Sequence, residues 1–180
     1  MPATFRPLRL ALALAAFATL TPSVMGQTTY TWTNFAGGNF SLGTNWSSPP
    51  VFDNTAILAF PSTPLFPGPP FQPAGTYTAT ADGATPYTVN QIVFNNFASP
   101  DTTAFGVTIT TNSATSGIVF DGANPSILQN GTGAVTFANG TATNDLTLGA
   151  AGLTIGGSGI GHLTIAGSIA GTGNLSINQT

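Results

Sequence analysis

The chain has 180 residues, of which 42 % are hydrophobic and only 4 % are charged, and its basic residues are Arg6 and Arg9 alone. Lys, Glu and Cys are absent, which excludes disulfides, thiolate metal sites and cysteine nucleophiles. Nucleic-acid binding depends on cationic contacts to phosphate, so we expect no nucleic-acid partner.

Residues 1–26 have the pattern of a cleavable secretory signal peptide. Two arginines precede an apolar run of eleven residues, Leu10 to Leu20, and small residues at 24–26 provide a cleavage site before Gln27. The run is shorter than the about 20 apolar residues that a membrane-spanning helix needs. We therefore predict a mature chain without a transmembrane span that is secreted, extracellular or held at the cell surface.

Residues 27–60 are predicted to form an N-terminal β cap segment, and they contain both tryptophans. Alternation around Tyr30 and again at 55–60 predicts strands, and Gly37-Gly38 predicts a turn between them. Trp32 and Trp46 have two interpretations. They form either an aromatic cap over the first rung of a solenoid, whose edge would otherwise be open, or a platform on which a glycan stacks. The aromatic density of the segment favours the cap.

Residues 61–75 are predicted to be a proline-rich loop. Proline recurs there at every third position, at Pro61, Pro64, Pro67, Pro70 and Pro73. Because polyproline II has three residues per turn, these side chains would form one ridge. We interpret the segment as a stiff loop without free amides, and a ligand for an aromatic groove is the alternative.

Residues 76–180 are predicted to be β-helix repeats, incomplete at the C-terminal end. Large apolar residues occur there as doublets separated by one residue, which places both on one face of a short strand. The doublets are Ile92/Phe94, Val107/Ile109, Ile118/Phe120, Val135/Phe137, Leu146/Leu148, Leu153/Ile155, Leu163/Ile165 and Leu175/Ile177. Turn-forming pairs such as Asn130-Gly131 lie between them, and no helical period is present.

A repeated motif sets the predicted architecture. Residues 131–137, 159–165 and 171–177 all read G-x-G-x-Φ-[ST]-Φ, where Φ is a large apolar residue. One such unit buries too little surface to offset its ordering entropy, so the units must stack. Self-similarity at roughly twenty residues predicts rungs of three short strands. The predicted fold class is all-β, a right-handed parallel β-helix (solenoid), and a sandwich with hairpin-joined strands is the alternative.

Few side chains in this sequence carry chemistry. His162, the single histidine, precedes a predicted strand as a solvated turn residue would. A polysaccharide lyase of this shape would need a basic residue, and a hydrolase two carboxylates about 5–9.5 Å apart. The five aspartates, Asp53, Asp82, Asp101, Asp121 and Asp145, are well separated along the chain.

The spacing of the aspartates allows one metal hypothesis. Asp82, Asp101 and Asp121 follow one another at intervals close to one predicted rung, and Asp145 follows at a slightly longer one, so they would form a column able to bind Ca²⁺. The simpler interpretation is that each aspartate serves a turn, as the pair Asp121-Gly122 indicates. We predict no catalytic residue, no metal and no cofactor, and Trp32 and Trp46 remain the candidate glycan-stacking residues.

Two parts of the chain resemble a known family. The first is the N-terminal series Trp32, 37–40, 45–46 and 53–56; the second comprises 127–133 and 171–177. Both resemble secreted bacterial proteins with autotransporter-associated β-strand repeats. The resemblance implies an extracellular β-helix, often the passenger of a type V secretion system, and it transfers no catalytic residue. Neither an outer-membrane barrel nor a sorting signal follows, so we expect either the start of a longer protein or a truncated member of the family.

These observations predict a non-catalytic, secreted or cell-surface scaffold of the adhesin-like passenger type. The alternative is a carbohydrate-binding or polysaccharide-degrading β-helix module. A glycan or cell-surface partner is expected, and so is self-association through the C-terminal edge strand 174–180, which contains no proline, charge or aromatic residue.

Overall fold

A computed structural model describes residues 26–61, 75–95 and 106–179. The described chain forms fifteen strands and a 3-10 turn at Gly43–Asn45. The strands are β1 (Thr28–Thr31), β2 (Gly38–Asn39), β3 (Ala56–Pro61), β4 (Thr76–Ala81), β5 (Tyr87–Val89), β6 (Gln91–Asn95), β7 (Gly106–Thr111), β8 (Ile118–Phe120), β9 (Ser126–Gln129), β10 (Val135–Phe137), β11 (Leu146–Leu148), β12 (Leu153–Gly157), β13 (Leu163–Ile165), β14 (Ile169–Gly171) and β15 (Leu175–Gln179).

The strands form three sheets, and every pair within them is parallel. The first sheet has the order β1-β3-β6-β9-β12-β15, the second β13-β10-β7-β4-β2 and the third β14-β11-β8-β5. Consecutive strands along the chain belong to different sheets, and each strand pairs with one that lies a full circuit away. This is a parallel β-helix, as the sequence predicts, and the sandwich alternative is excluded because its strands would be antiparallel.

The length of a rung differs from the prediction. Residues that occupy one register position of the first sheet show how far the chain travels in each circuit. In order along the stack these residues are Tyr30, Leu58, Ile92, Ile127, Ile155 and Ile177. The residue numbers of successive members of this series differ by clearly more than the predicted period of roughly twenty residues in every circuit except the last. The uniform twenty-residue period is therefore wrong, and only the last rung approaches it.

The core follows the predicted alternation. All eight apolar doublets lie in strands, and six of them are fully buried with their middle residue turned outward. The remaining two, Leu163/Ile165 and Leu175/Ile177, belong to the last turn of the stack and are less buried. One continuous core runs from Tyr30 to Ile155.

The glycines of the repeated motif mark close contact between rungs. A Cβ on Gly159 would overlap the carbonyl oxygen of Gly131, and one on Gly161 would overlap that of Gly133. The amide of Gly159 donates to the Gln129 carbonyl at 2.9 Å. The motif at 159–165 therefore stacks directly on the motif at 131–137. Its G-x-G positions need glycine because the backbones of the two rungs approach too closely for a Cβ atom.

Two predicted segments lie largely outside the described residues. Residues 1–25 of the predicted signal peptide (1–26) and residues 62–74 of the predicted proline-rich loop (61–75) are not among the described residues. The strand β3, at the end of the predicted cap segment, already pairs with β6 of the stack. Within the described chain, no helix has the length and hydrophobicity that crossing a bilayer requires.

Candidate functional site

Both tryptophans lie inside the first rung of the β-helix. Trp32 is 0 % exposed and Trp46 is 4 % exposed. Their ring centroids are 4.8 Å apart with the planes at 90°, an edge-to-face contact. Phe40 lies 5.4 Å from Trp46, and Phe60 lies 5.9 Å from Trp32. The indole N–H of Trp46 donates to the Phe40 carbonyl at 3.0 Å, so burial leaves this polar atom paired.

The segment that carries Trp46 folds back along β1. The amide of Ser47 donates to the Thr31 carbonyl at 2.7 Å, and the amide of Thr33 donates to the Asn45 carbonyl at 2.8 Å. This antiparallel contact lies on the side of β1 that does not pair with β3. Residues 45–47 thus satisfy backbone groups at the edge of the first strand. Both indoles are buried in the interior of the rung, so neither offers a ring face on which a sugar can stack.

A hydrogen-bond network surrounds the buried carboxylate of Asp145. Its Oδ1 accepts from Thr111 Oγ1 at 2.7 Å and from the Gly140 amide at 3.1 Å. Its Oδ2 accepts from the amide and the hydroxyl of Ser168, at 2.9 and 3.0 Å. Burial alone would raise the pKa of Asp145, but these hydrogen bonds favour the ionised form and the pKa lies below its ordinary value. The network joins three successive turns of the solenoid.

Asp82 and Asp53 are also held by hydrogen bonds. Asp82 accepts from the amide and hydroxyl of Ser41 and from the Tyr87 hydroxyl at 2.9 Å. Burial works against the charge of Asp82, yet these bonds keep its pKa low. The hydroxyl and amide of Thr55 lower the pKa of Asp53. A carboxyl with a lowered pKa is ionised at neutral pH and is a poor general acid.

The calcium column is wrong in its geometry. Asp82 follows β4 in the second sheet, whereas Asp121 follows β8 in the third sheet, so the two lie at different corners of the β-helix. The predicted column fails because one circuit of the solenoid here contains more residues than the interval between successive aspartates. Asp101 lies outside the described residues, and within them no cluster of three or more His or Asp residues has a metal-binding arrangement.

One open groove of about 300 Å³ lies on the outside of the first sheet. Its polar lining consists of Gln91, Asn124, Ser126 and Thr154, with no aromatic or ionisable side chain among its lining residues. His162 lies elsewhere, exposed just before β13, and its carbonyl accepts from the Val135 amide at 2.8 Å. The groove therefore offers hydrogen-bonding groups, but none of its lining side chains is ionisable.

The C-terminal end of the stack exposes apolar side chains. Leu175 and Ile177 of β15 are 43 % and 67 % exposed, whereas their register partners Leu153 and Ile155 are 2 % and 5 % exposed. Ile169 in β14 is 42 % exposed. The alternation thus continues into the last strand, but no further rung covers its apolar face in the described chain.

Sequence reasoning missed the network around Asp145. Thr111 and Ser168 are 34 and 23 residues away from it, and no local motif connects them. The only sequence signal for this network was an isolated aspartate, Asp145, directly before the alternating strand β11. Comparisons with protein-family models, with curated proteins and with solved structures found no match.

Proposed function

We propose that this chain is a non-catalytic, secreted or cell-surface β-helical scaffold, adhesin-like and built from autotransporter-associated β-strand repeats. One observation carries the proposal: three of its aspartates, Asp53, Asp82 and Asp145, are committed to hydrogen bonds with turn and strand residues. All three have lowered pKa values, so none supplies the protonated carboxyl that glycoside hydrolysis requires. What remains is a stiff stack whose outer strand positions are mainly uncharged.

The carbohydrate alternative has less support. Trp32 and Trp46 were its candidate residues, and their rings are buried against other aromatic side chains. A glycan would instead have to use the groove beside Gln91 and Asn124, which lacks an aromatic ring. Pyranose rings bind well on aromatic faces, so this groove favours the alternative only weakly.

Export and self-association belong to the same proposal. The pattern of residues 1–26 supports export, since a positive start precedes an apolar run and small residues. Self-association uses β15, whose exposed Leu175 and Ile177 lie beside a strand edge that pairs with no other described strand. Between Leu146 and Thr180 the sequence contains no Asp, Glu, Lys or Arg, so charge repulsion between copies is weak there.

Two measurements on one preparation test this proposal. We expect a chain expressed from Met1 in a bacterial host to be exported and to begin at Gln27 when its N-terminus is sequenced. We expect no release of reducing ends from a panel of polysaccharides. Retention of residue 1 in the cytoplasm would contradict the location. Reducing ends that disappear in Asp82→Asn or Asp145→Asn would contradict the non-catalytic role.

A further inference from the structure

A column of threonines runs along the outside of the second sheet. Thr78 of β4 pairs with Thr108 of β7, Thr108 with Thr136 of β10, and Thr136 with Thr164 of β13. Strand alternation turns these side chains outward while their neighbours enter the core. Thr78 and Thr164 are exposed and the middle two are half-buried. Because parallel strands lie about 4.8 Å apart, the four hydroxyls recur at that spacing along a line of about 14 Å.

A second column stands two residues further along the same strands. Thr80 of β4 pairs with Thr110 of β7. The amides of Ala138 and Ala166 donate to the carbonyls of Ile109 and Phe137, both at 2.8 Å, so the pairing continues one residue beyond β10 and β13. Ala138 and Ala166 therefore follow Thr80 and Thr110 in the second column. The two columns are about 6.7 Å apart along the strands.

The outward hydroxyls are rigid and unoccupied by protein partners. Threonine is β-branched and stiff at χ1, so neighbouring copies on one sheet adopt similar orientations. The inward hydroxyl of Thr111 binds Asp145, but within the described residues no hydrogen bond involves the outward hydroxyls of the two columns. Their hydroxyls are available to donate and accept hydrogen bonds. We call these outward residues the threonine face; its members are Thr78, Thr80, Thr108, Thr110, Thr136 and Thr164.

The charge of the threonine face restricts its occupant. Its members carry no ionisable group, and the two alanines that extend it are equally neutral. A polyanion or a polycation gains nothing from such a surface, whereas a neutral array of donors and acceptors is complementary to it. No aromatic side chain points outward from β4, β7, β10 or β13, so the face lacks the rings that stack on sugars.

We propose that the threonine face binds ice. Ice exposes rows of water oxygens at a repeat close to the strand spacing, and each water donates and accepts hydrogen bonds as a threonine hydroxyl does. The methyl groups of the threonines and alanines add apolar surface that is removed from liquid water when the face meets ice. This activity is independent of the scaffold role and uses a face that the other sites leave free.

The test measures inhibition of ice recrystallisation by the full chain and by three matched variants. The double variant Thr108→Tyr with Thr136→Tyr interrupts the array of threonines. Because the array binds as one unit, we expect this variant to need an about tenfold higher protein concentration than the wild type for equal inhibition. Thr147→Tyr on β11, outward in the third sheet, is the control and should leave inhibition unchanged. Ala138→Thr with Ala166→Thr completes the second column and should lower the concentration needed. Thermal melting verifies that each variant folds.

Three results would overturn the proposal. The first is a folded wild-type chain without effect on ice crystals, and the second is equal loss in the Thr147→Tyr control. The third is sedimentation with crystalline cellulose or chitin, reduced by the Tyr substitutions, without any effect on ice. That result would assign the threonine face to a polysaccharide lattice instead.

Discussion

The first and last rungs of the solenoid have the same strand geometry but opposite surroundings. β1 and β15 are the outermost strands of the same sheet. Tyr30 in β1 is nevertheless 8 % exposed, whereas Ile177 in β15 is 67 % exposed. At the first rung, residues 45–47 fold back along the strand and large rings fill the interior. At the last rung, the interior residues are Leu and Ile, and nothing in the described chain returns over them.

This difference teaches what closes a parallel β-helix. Alternation builds every rung equally well, but it does not cover the final one. A buried aromatic ring removes about 150–250 Å² from water, so a few rings can fill the opening that an absent rung would leave. Phe137 is the last aromatic residue of the sequence, and the C-terminal rungs therefore have no side chain of this size. Within the described residues, the apolar interior is therefore covered at the first rung and exposed at the last one.

The largest effect is expected from a charge placed in the middle of the stack. Val135→Asp puts an unpaired carboxylate into a fully buried site and should destabilise the fold by about 4 kcal/mol or more. Leu163→Asp, at the paired position one rung nearer the open end, should cost less because Leu163 is only partly buried. Thr136→Asp, on the outer side of the same strand, should cost under about 1 kcal/mol. Denaturant unfolding measures all three, and equal midpoints would contradict the inward and outward assignment.

Removing a ring from the closed end is expected to have the next largest effect. Trp32→Ala deletes a fully buried indole that contacts Trp46, Phe40 and Phe60, and it should cost about 3–5 kcal/mol. Ile177→Ala is the matched change at the open end and should cost well under about 1 kcal/mol. If the two variants lower the unfolding midpoint alike, the two ends do not differ as described.

A smaller effect is expected from the carboxylate network between the ends. Asp145→Asn replaces one acceptor oxygen by a donor that faces other donors, and it should cost about 1–3 kcal/mol. The folded pKa of Asp145 is lowered, so its stabilisation is present above the unfolded pKa, near about 3.9, and is lost as the pH falls through the folded pKa.

The pH dependence supplies the check on Asp145. The stability difference between wild type and Asp145→Asn should be constant at neutral pH and should shrink in acid. Asp121→Asn is the control, since no hydrogen bond of its carboxylate occurs within the described residues. A difference that grows on acidification would contradict the assigned direction of the pKa shift.

The smallest effect on stability, with a large effect on assembly, is expected at β15. We expect mature residues 27–180 to associate through this strand, and Ser176→Lys with Asn178→Lys to give monomers by light scattering. Both positions are exposed, so the free energy of unfolding should change by under about 1 kcal/mol. Thr29→Lys, on the covered first strand, should leave association unchanged. A monodisperse wild-type monomer at micromolar concentration would contradict an open C-terminal end.

The sequence predicted the strands better than their arrangement. Strict alternation located all eight doublets but not which strand stacks on which, because Val135 of β10 pairs with Leu163 of β13 and not with the doublet Leu153/Ile155 of β12. It did not reveal the rung length, because the connection from the first to the second sheet shortens along the chain. This connection is long between the end of β3 at Pro61 and the start of β4 at Thr76, and it is short between Gln129 of β9 and Val135 of β10. Extra residues in a connection leave the alternation within each strand unchanged, but they change the number of residues between strands that stack on each other.

The candidate site was harder to predict for a related reason. The tryptophans were recognisable as aromatic, but their burial depends on residues 45–47 returning to β1, which is a contact across a turn. The partners of Asp145 come from neighbouring rungs, and the threonine columns appear only when the register is known. A single sequence specifies which face a residue occupies within its strand, but not which residue lies beside it in the next rung.

Hydrogen exchange followed strand by strand tests the difference between the two ends most directly. We expect the amides of β1 paired with β3 to exchange nearly as slowly as those of β6 and β9, because the returning segment and the aromatic rings protect them. Amides of β15 paired with β12 should exchange fastest among the strands of the first sheet. Equal protection of β1 and β15, or stronger protection of β15, would contradict a closed N-terminal end and an open C-terminal end.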